Sequence, residues 1–185
     1  MGNYSKLFGL QDTWADMDMM DLGPNSSYRG TPAAVLHATV WMLARSPLMY
    51  SGPLPITDAL TLTLMTHPTA LRIHSSAGRL HTSYQGDCSC HERFGNSGCI
   101  PTNSPGAAPC VAIWWAELPA GGTERAVGIL NIGATAANVS VSVRDIDGPS
   151  GAKSAQNVYG GGTIGVTAGK ITVMVPPVGA VLLTV

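Results

Sequence analysis

The most restrictive feature of the sequence is a change of pattern at Cys110. Beyond it lie six short runs rich in β-branched and apolar residues, separated by turn residues: 111–116, 126–132, 138–143, 163–166, 171–175 and 180–185. Short β-rich runs at this spacing are typical of an antiparallel sandwich. The three consecutive glycines from Gly160 are a turn, because no helix pattern follows them to form a phosphate loop.

The region before residue 72 shows a different pattern, in which short apolar runs alternate with helical periodicity. Residues 14–20 and 47–52 read as strands, and residues 33–44 have an apolar stripe at helical spacing. A second helix starts at Thr57 as N-cap and ends before His67-Pro68. Strand and helix in alternation predict parallel strands with crossover helices, although two such units cannot close a barrel alone.

The first predicted strand carries an unusual concentration of acidic side chains. On a strand, Asp16 and Asp18 would share one face at roughly 6.6 Å, with Met17 and Met19 opposite. Two carboxylates on an apolar strand are unfavourable unless they meet water, a sugar, a metal or a basic partner. A solvated acidic turn is the simpler alternative.

Four cysteines fall within one stretch rich in Gly, Pro, Ser and Asn, and they are Cys88, Cys90, Cys99 and Cys110. Their even number and clustering favour disulfides, with three possible connectivities. Zinc would require Cys88, Cys90 and His91 with one further cysteine, but Cys-x-Cys-His lacks the usual ligand spacing. We therefore expect disulfides and no metal.

Charge and hydropathy exclude several function classes. The net charge is −1, without runs of one sign, which gives no electrostatic case for nucleic acid or a membrane surface. No apolar stretch is long enough to span a bilayer, and the N-terminus lacks the apolar core of a signal peptide. No motif calls for a cofactor.

One ordered set of motifs spans nearly the whole chain. It consists of Trp-x-Asp-x-Asp-Met from Trp14, Leu22-Gly23, a helix ending in Leu-Ala-Arg-Ser-Pro-Leu-Met at Met49, and a closing Val-Pro-Pro-x-Gly-x-Val-Leu-Leu. This set resembles the later part of α-galactosidases (melibiases, glycoside hydrolase family 27). The resemblance implies an α/β part followed by an all-β part. Residues 1–78 would be the last two βα units of an incomplete (β/α)₈ TIM barrel, and residues 79–185 an antiparallel β-sandwich with a Cys-rich insertion at 86–110.

The resemblance also implies a function. Members hydrolyse terminal α-galactosides with retention, and they are secreted, vacuolar or lysosomal. Asp18 and Met19 match positions that contact the substrate, whereas Asp16 and Trp14 match supporting positions. The family's Lys-x-Asp nucleophile motif is absent, so we expect no catalytic residue and no activity from this chain alone. Its expected partners are an α-galactoside sugar and the remainder of the barrel.

Two other functions stay open on the residues alone. The sandwich could be a non-catalytic carbohydrate-binding or interaction module, with Trp114 or Trp115 stacking on a sugar. Alternatively, Asp16 and Asp18 could be the acid and base of a small enzyme, since their strand spacing approaches the range of about 6.5–9.5 Å used by inverting glycosidases.

Overall fold

The computed structural model describes residues 14–28, 30–93, 96–101 and 108–185. Within these residues, three α-helices precede ten strands. The helices are α1 (Thr31–Ala44), α2 (Ala59–Thr66) and α3 (Pro68–Ser76). The strands are β1 (His81–Gln85), β2 (Cys88–Arg93), β3 (Asn96–Pro101), β4 (Val111–Leu118), β5 (Glu124–Asn131), β6 (Ala137–Ser142), β7 (Ser154–Asn157), β8 (Thr163–Thr167), β9 (Lys170–Val175) and β10 (Gly179–Thr184).

Eight of the strands form one curled antiparallel sheet in the order β1-β4-β5-β10-β7-β8-β9-β6, and β2 and β3 form a separate hairpin. The two edges of the large sheet approach each other, since the Gln85 side-chain amide donates to the Ser140 carbonyl at 3.3 Å. The predicted antiparallel β fold of the C-terminal half is therefore confirmed. All six predicted runs coincide with strands, whereas β7 and the strands β1, β2 and β3 before residue 110 were not predicted.

The sheet buries apolar side chains on both faces. On one face, β4, β5 and β10 pack against α1 and α3 through Trp114, Leu130 and Leu182. The other face closes on the second half of the sheet, where Ile113 and Ile129 meet Val139, Ile171 and Val175. Strands β4, β5 and β10 therefore contribute alternate residues to two different cores.

One glycine sets the distance between α1 and the sheet. Gly128 lies on the helix-facing side of β5, where an added Cβ would overlap Leu43 Cδ1 and lie 3.0 Å from Thr39 Cγ2. Because no side chain projects at this point, α1 packs directly on the strand backbone.

The N-terminal part differs from the sequence interpretation in detail. Helices α1 and α2 match the predicted segments, but the α2 N-cap is Asp58, whose carboxylate accepts from the Thr61 N–H at 2.8 Å, and not Thr57. Helix α3 was not predicted, because His67-Pro68 was interpreted only as a stop. Proline also fits the first turn of a new helix, which is its role here.

The prediction that residues 14–20 and 47–52 form strands is wrong. Residues 14–19 have no regular secondary structure, and Met20 and Tyr50 form a single parallel bridge. Within the described residues, no helix is long and apolar enough to cross a membrane. The predicted division of the chain between residues 78 and 79 stays a prediction.

Candidate functional site

The acidic segment turns sharply between Met17 and Met20, and this arch exposes Asp18 and Met19. Asp18 has a φ of 67°, in the left-handed region, and its backbone N–H donates to Asp16 Oδ1 at 2.9 Å. The two side chains therefore do not share a strand face, and the Asp16 carboxylate turns back onto the backbone. This arrangement removes the geometric basis for pairing the two aspartates as acid and base.

Both ends of the arch are tied to the segment that follows α1. The Met17 N–H donates to Ser46 Oγ at 2.9 Å, and the Met20 N–H donates to the Met49 carbonyl at 2.6 Å. The Ser51 hydroxyl donates to the Met20 carbonyl at 3.0 Å. No sequence motif pointed to Ser46 or Ser51 as partners of this backbone.

The exposed side chains of the arch are available to a ligand. Met19 is 49% exposed, and among the described residues the Asp18 carboxylate has no hydrogen-bond or ion-pair partner. A free carboxylate forms strong, directional hydrogen bonds with hydroxyl groups. The arch therefore offers one hydrogen-bond acceptor beside an apolar surface.

Trp14 lies beside the arch and against the half-buried Arg45. The Arg45 guanidinium carbon is 4.8 Å from the centroid of the Trp14 ring, which is a cation–π distance. Arg45 also donates to the carbonyls of His74, Ser75 and Ala77 at the end of α3. These carbonyls lack intrahelical partners, so Arg45 caps α3 while it supports Trp14.

A buried histidine lies behind the loop that follows the arch. His37 on α1 stacks on Trp41 with ring centroids 3.9 Å apart and contacts Tyr28 at 4.3 Å. Burial lowers the pKa of His37 to about 4, with a small opposing effect of the Asp21 charge. Hydrogen bonds from Ser27 lower the pKa of Asp21. His37 is thus a packed residue.

The buried His37 predicts a loss of stability in acid. Because its pKa is lower in the folded than in the unfolded chain, its neutral form is favoured by folding, and its contribution falls as the pH drops below about 6.5. We expect protonation of His37 to lower the free energy of unfolding by about 2 kcal/mol between pH 7 and pH 5. Urea unfolding of wild type and His37→Phe at both pH values measures this term. An equally steep loss in His37→Phe would contradict it.

One of the predicted disulfides is present. Cys88 and Cys110 are joined, which ties the start of the β2–β3 hairpin to the entry of β4. The side chains of Cys90 and Cys99 lie outside the described part, although the hairpin register places these two residues opposite each other. Their pairing stays a prediction. In the described residues, no group of three His, Cys, Asp or Glu side chains lies together as metal ligands would.

The two adjacent tryptophans of β4 have different environments. Trp114 is buried in the core against the helices, whereas Trp115 is half-buried and stacks on His81 with ring centroids 5.3 Å apart. One face of the Trp115 ring is therefore occupied by a residue of the chain itself.

Comparisons with known proteins agree with this fold. Residues 109–185 match the model of the α-galactosidase C-terminal β-sandwich domain. A β-L-arabinopyranosidase of family GH27 from Geobacillus stearothermophilus has a TM-score of 0.72 at 22% identity, over 98% of this chain and 38% of that chain. A comparison with curated proteins finds no match.

Two fungal structures extend the comparison. α-Galactosidase I from Mortierella vinacea has a TM-score of 0.65 at 17% identity, over 92% of this chain and 39% of that chain. An α-galactosidase from Saccharomyces cerevisiae has a TM-score of 0.64 at 15% identity, over 92% and 46%. This chain spans less than half the length of each of these structures. Residues 109–185 thus match the α-galactosidase C-terminal β-sandwich domain, and the fold of the whole chain is similar to part of these glycosidase structures.

Proposed function

We propose that this chain is the C-terminal portion of a glycoside hydrolase that acts on terminal α-galactosides, in which Asp18 and Met19 contact the sugar. The observation that carries the proposal is the arch, which presents an unpartnered carboxylate on a backbone held at both ends. A preorganised acceptor binds a sugar hydroxyl with little ordering of the protein.

Residues 1–78 are proposed to be the last two βα units of a TIM barrel. The parallel bridge between Met20 and Tyr50, with α1 between them, has the connectivity of one such unit. Leu54, Ile56 and Leu62 are each more than half exposed. Apolar side chains exposed on this scale are typical of a surface that a partner covers, and we infer that further barrel units are that partner. These units would also supply the nucleophile and the general acid.

The proposal is tested in a chimera. Residues 1–185 replace the matched part of the Geobacillus β-L-arabinopyranosidase, and hydrolysis of aryl α-galactoside and aryl β-L-arabinopyranoside is measured. We expect activity on at least one of them, and we expect Asp18→Asn to lower kcat/KM by about 100-fold, because it removes a charge-assisted hydrogen bond.

A matched variant separates this effect from general charge loss. Asp145→Asn changes another exposed aspartate, in the short helix after β6, and should leave kcat/KM within twofold. Circular dichroism and thermal melting establish that each chimera is folded. A folded chimera in which Asp18→Asn and Asp145→Asn behave alike contradicts the assignment of Asp18.

The second candidate function is carbohydrate binding by the sandwich, and the half-buried Trp115 is the observation that favours it. The ring stacks on His81 and packs against the second core, so a sugar would contact the exposed part that remains. Isothermal titration of the chain with galactose, using Trp115→Ala and Asp18→Ala, distinguishes the candidates. Loss of binding only in Trp115→Ala supports the module, and loss only in Asp18→Ala supports the barrel site.

A further inference from the structure

We propose that Ser46 and Asp16 are the positioning residues that hold Asp18 in its left-handed conformation, so that both control sugar affinity without contacting the sugar. This inference rests on the proposed role of Asp18. It assigns to Ser46 a role that the sequence did not suggest, and it converts Asp16 from a general support into the partner of one defined backbone group.

The conformation of Asp18 needs such support. A φ of 67° at a residue with a side chain is unfavourable in an isolated peptide, and aspartate adopts it more readily than most residues but still at a cost. Residues in this region persist where surrounding contacts fix them, and they concentrate at functional sites. The contact that fixes this one is the hydrogen bond from the Asp18 N–H to Asp16 Oδ1 at 2.9 Å.

Ser46 fixes Met17, the residue before Asp18. Its side chain is fully buried, and its Oγ accepts from the Met17 N–H at 2.9 Å. His74 Nε2 on α3 donates to the Ser46 carbonyl at 2.7 Å. Ser46 follows α1 and is held by His74 of α3. Its hydrogen bond to Met17 therefore fixes the arch relative to these two helices.

The far end of the arch is held separately. The Met20 N–H donates to the Met49 carbonyl, and the Met20 carbonyl accepts from both the N–H and the hydroxyl of Ser51. With Met17 and Met20 anchored, only Asp18 and Met19 lie between the two anchored residues, and the Asp18 N–H is itself bonded to Asp16. The backbone of the arch is thus determined from both sides, and the direction of the Asp18 carboxylate follows from it.

Amide hydrogen exchange on the 185-residue protein tests the positioning directly. We expect Ser46→Ala to speed exchange of the Met17 amide at least tenfold, and Asp16→Ala to do the same for Asp18. Asp16→Asn keeps a carbonyl oxygen at the accepting position, so it should restore protection of the Asp18 amide. Ser26→Ala is the matched control: Ser26 is also buried and hydrogen-bonded, to the Asp21 carbonyl, and its loss should leave both amides unchanged.

Sugar affinity gives the second readout. In the chimera, Ser46→Ala and Asp16→Ala should raise KM five- to twentyfold, whereas Asp16→Asn and Ser26→Ala stay within twofold of wild type. Unchanged exchange of both amides in Ser46→Ala and Asp16→Ala would overturn the inference. If exchange responds as expected but Asp18→Asn itself leaves kcat/KM unchanged, the positioning stands and the proposed function of Asp18 fails.

Discussion

Replacing Asn131 with leucine is expected to lower the free energy of unfolding by about 3–5 kcal/mol. Asn131 is fully buried at the end of β5. Its amide nitrogen lies 2.8, 3.2 and 3.0 Å from the carbonyl oxygens of Thr135, Val175 and Pro176, and its carbonyl oxygen accepts from the Gly133 N–H at 2.9 Å. Leucine has the same branching and the same number of side-chain heavy atoms but leaves these backbone groups without their partner inside the protein.

The position of Asn131 explains why so large an effect is expected. Its bonds join β5 to the end of β9, and these strands lie in opposite halves of the curled sheet. The measurement is urea unfolding of Asn131→Leu, with Asn138→Leu on the exposed face of β6 as the matched control. We expect less than about 0.5 kcal/mol for the control. A loss below about 1 kcal/mol in Asn131→Leu would show that water replaces the lost partner.

Removal of the disulfide between Cys88 and Cys110 is expected to lower the free energy of unfolding by about 3 kcal/mol. The bond closes a loop with a sequence separation of 22 residues, and the chain-entropy model gives a value of this size for such a loop. The loop contains the β2–β3 hairpin, which is not part of the large sheet. Without the bond, the unfolded chain gains freedom that folding must then remove.

The measurement is denaturant unfolding of the double variant Cys88→Ala/Cys110→Ala. Alanine is chosen because Cys110 is fully buried and a serine hydroxyl would be left in an apolar site. Reductant should destabilise the wild type by a similar amount. A double variant that is as stable as the oxidised wild type would contradict the prediction.

The β-rich half of the chain could be predicted from its sequence because its strands alternate clearly. In β9, apolar Ile171, Val173 and Val175 face the core while Lys170 and Met174 are exposed. Strand β7 has the sequence Ser-Ala-Gln-Asn and no such signal. It is a strand only because β8 and β10 pair with it on either side, which is information that no local pattern contains.

The sequence indicated which segment carries the candidate site but not the backbone conformation of that segment. The motif from Trp14 singled out the segment that carries the proposed site, whereas the strand periodicity assigned to it was wrong. A left-handed residue such as Asp18 breaks the alternation of side chains, and nothing in Met17-Asp18-Met19 marks it in advance. The roles of Ser46 and Ser51 depend on contacts with a segment about thirty residues away, so they became visible only in three dimensions.

The most direct test of the account is a crystal structure of the chimera with galactose or arabinose bound. We predict a hydrogen bond of about 2.5–3.0 Å between an Asp18 carboxylate oxygen and a sugar hydroxyl, with Met19 against the ring. Asp18 should keep its left-handed conformation and its backbone bond to Asp16. A sugar found instead against Trp115, with the arch empty at saturating ligand, would contradict the central claim.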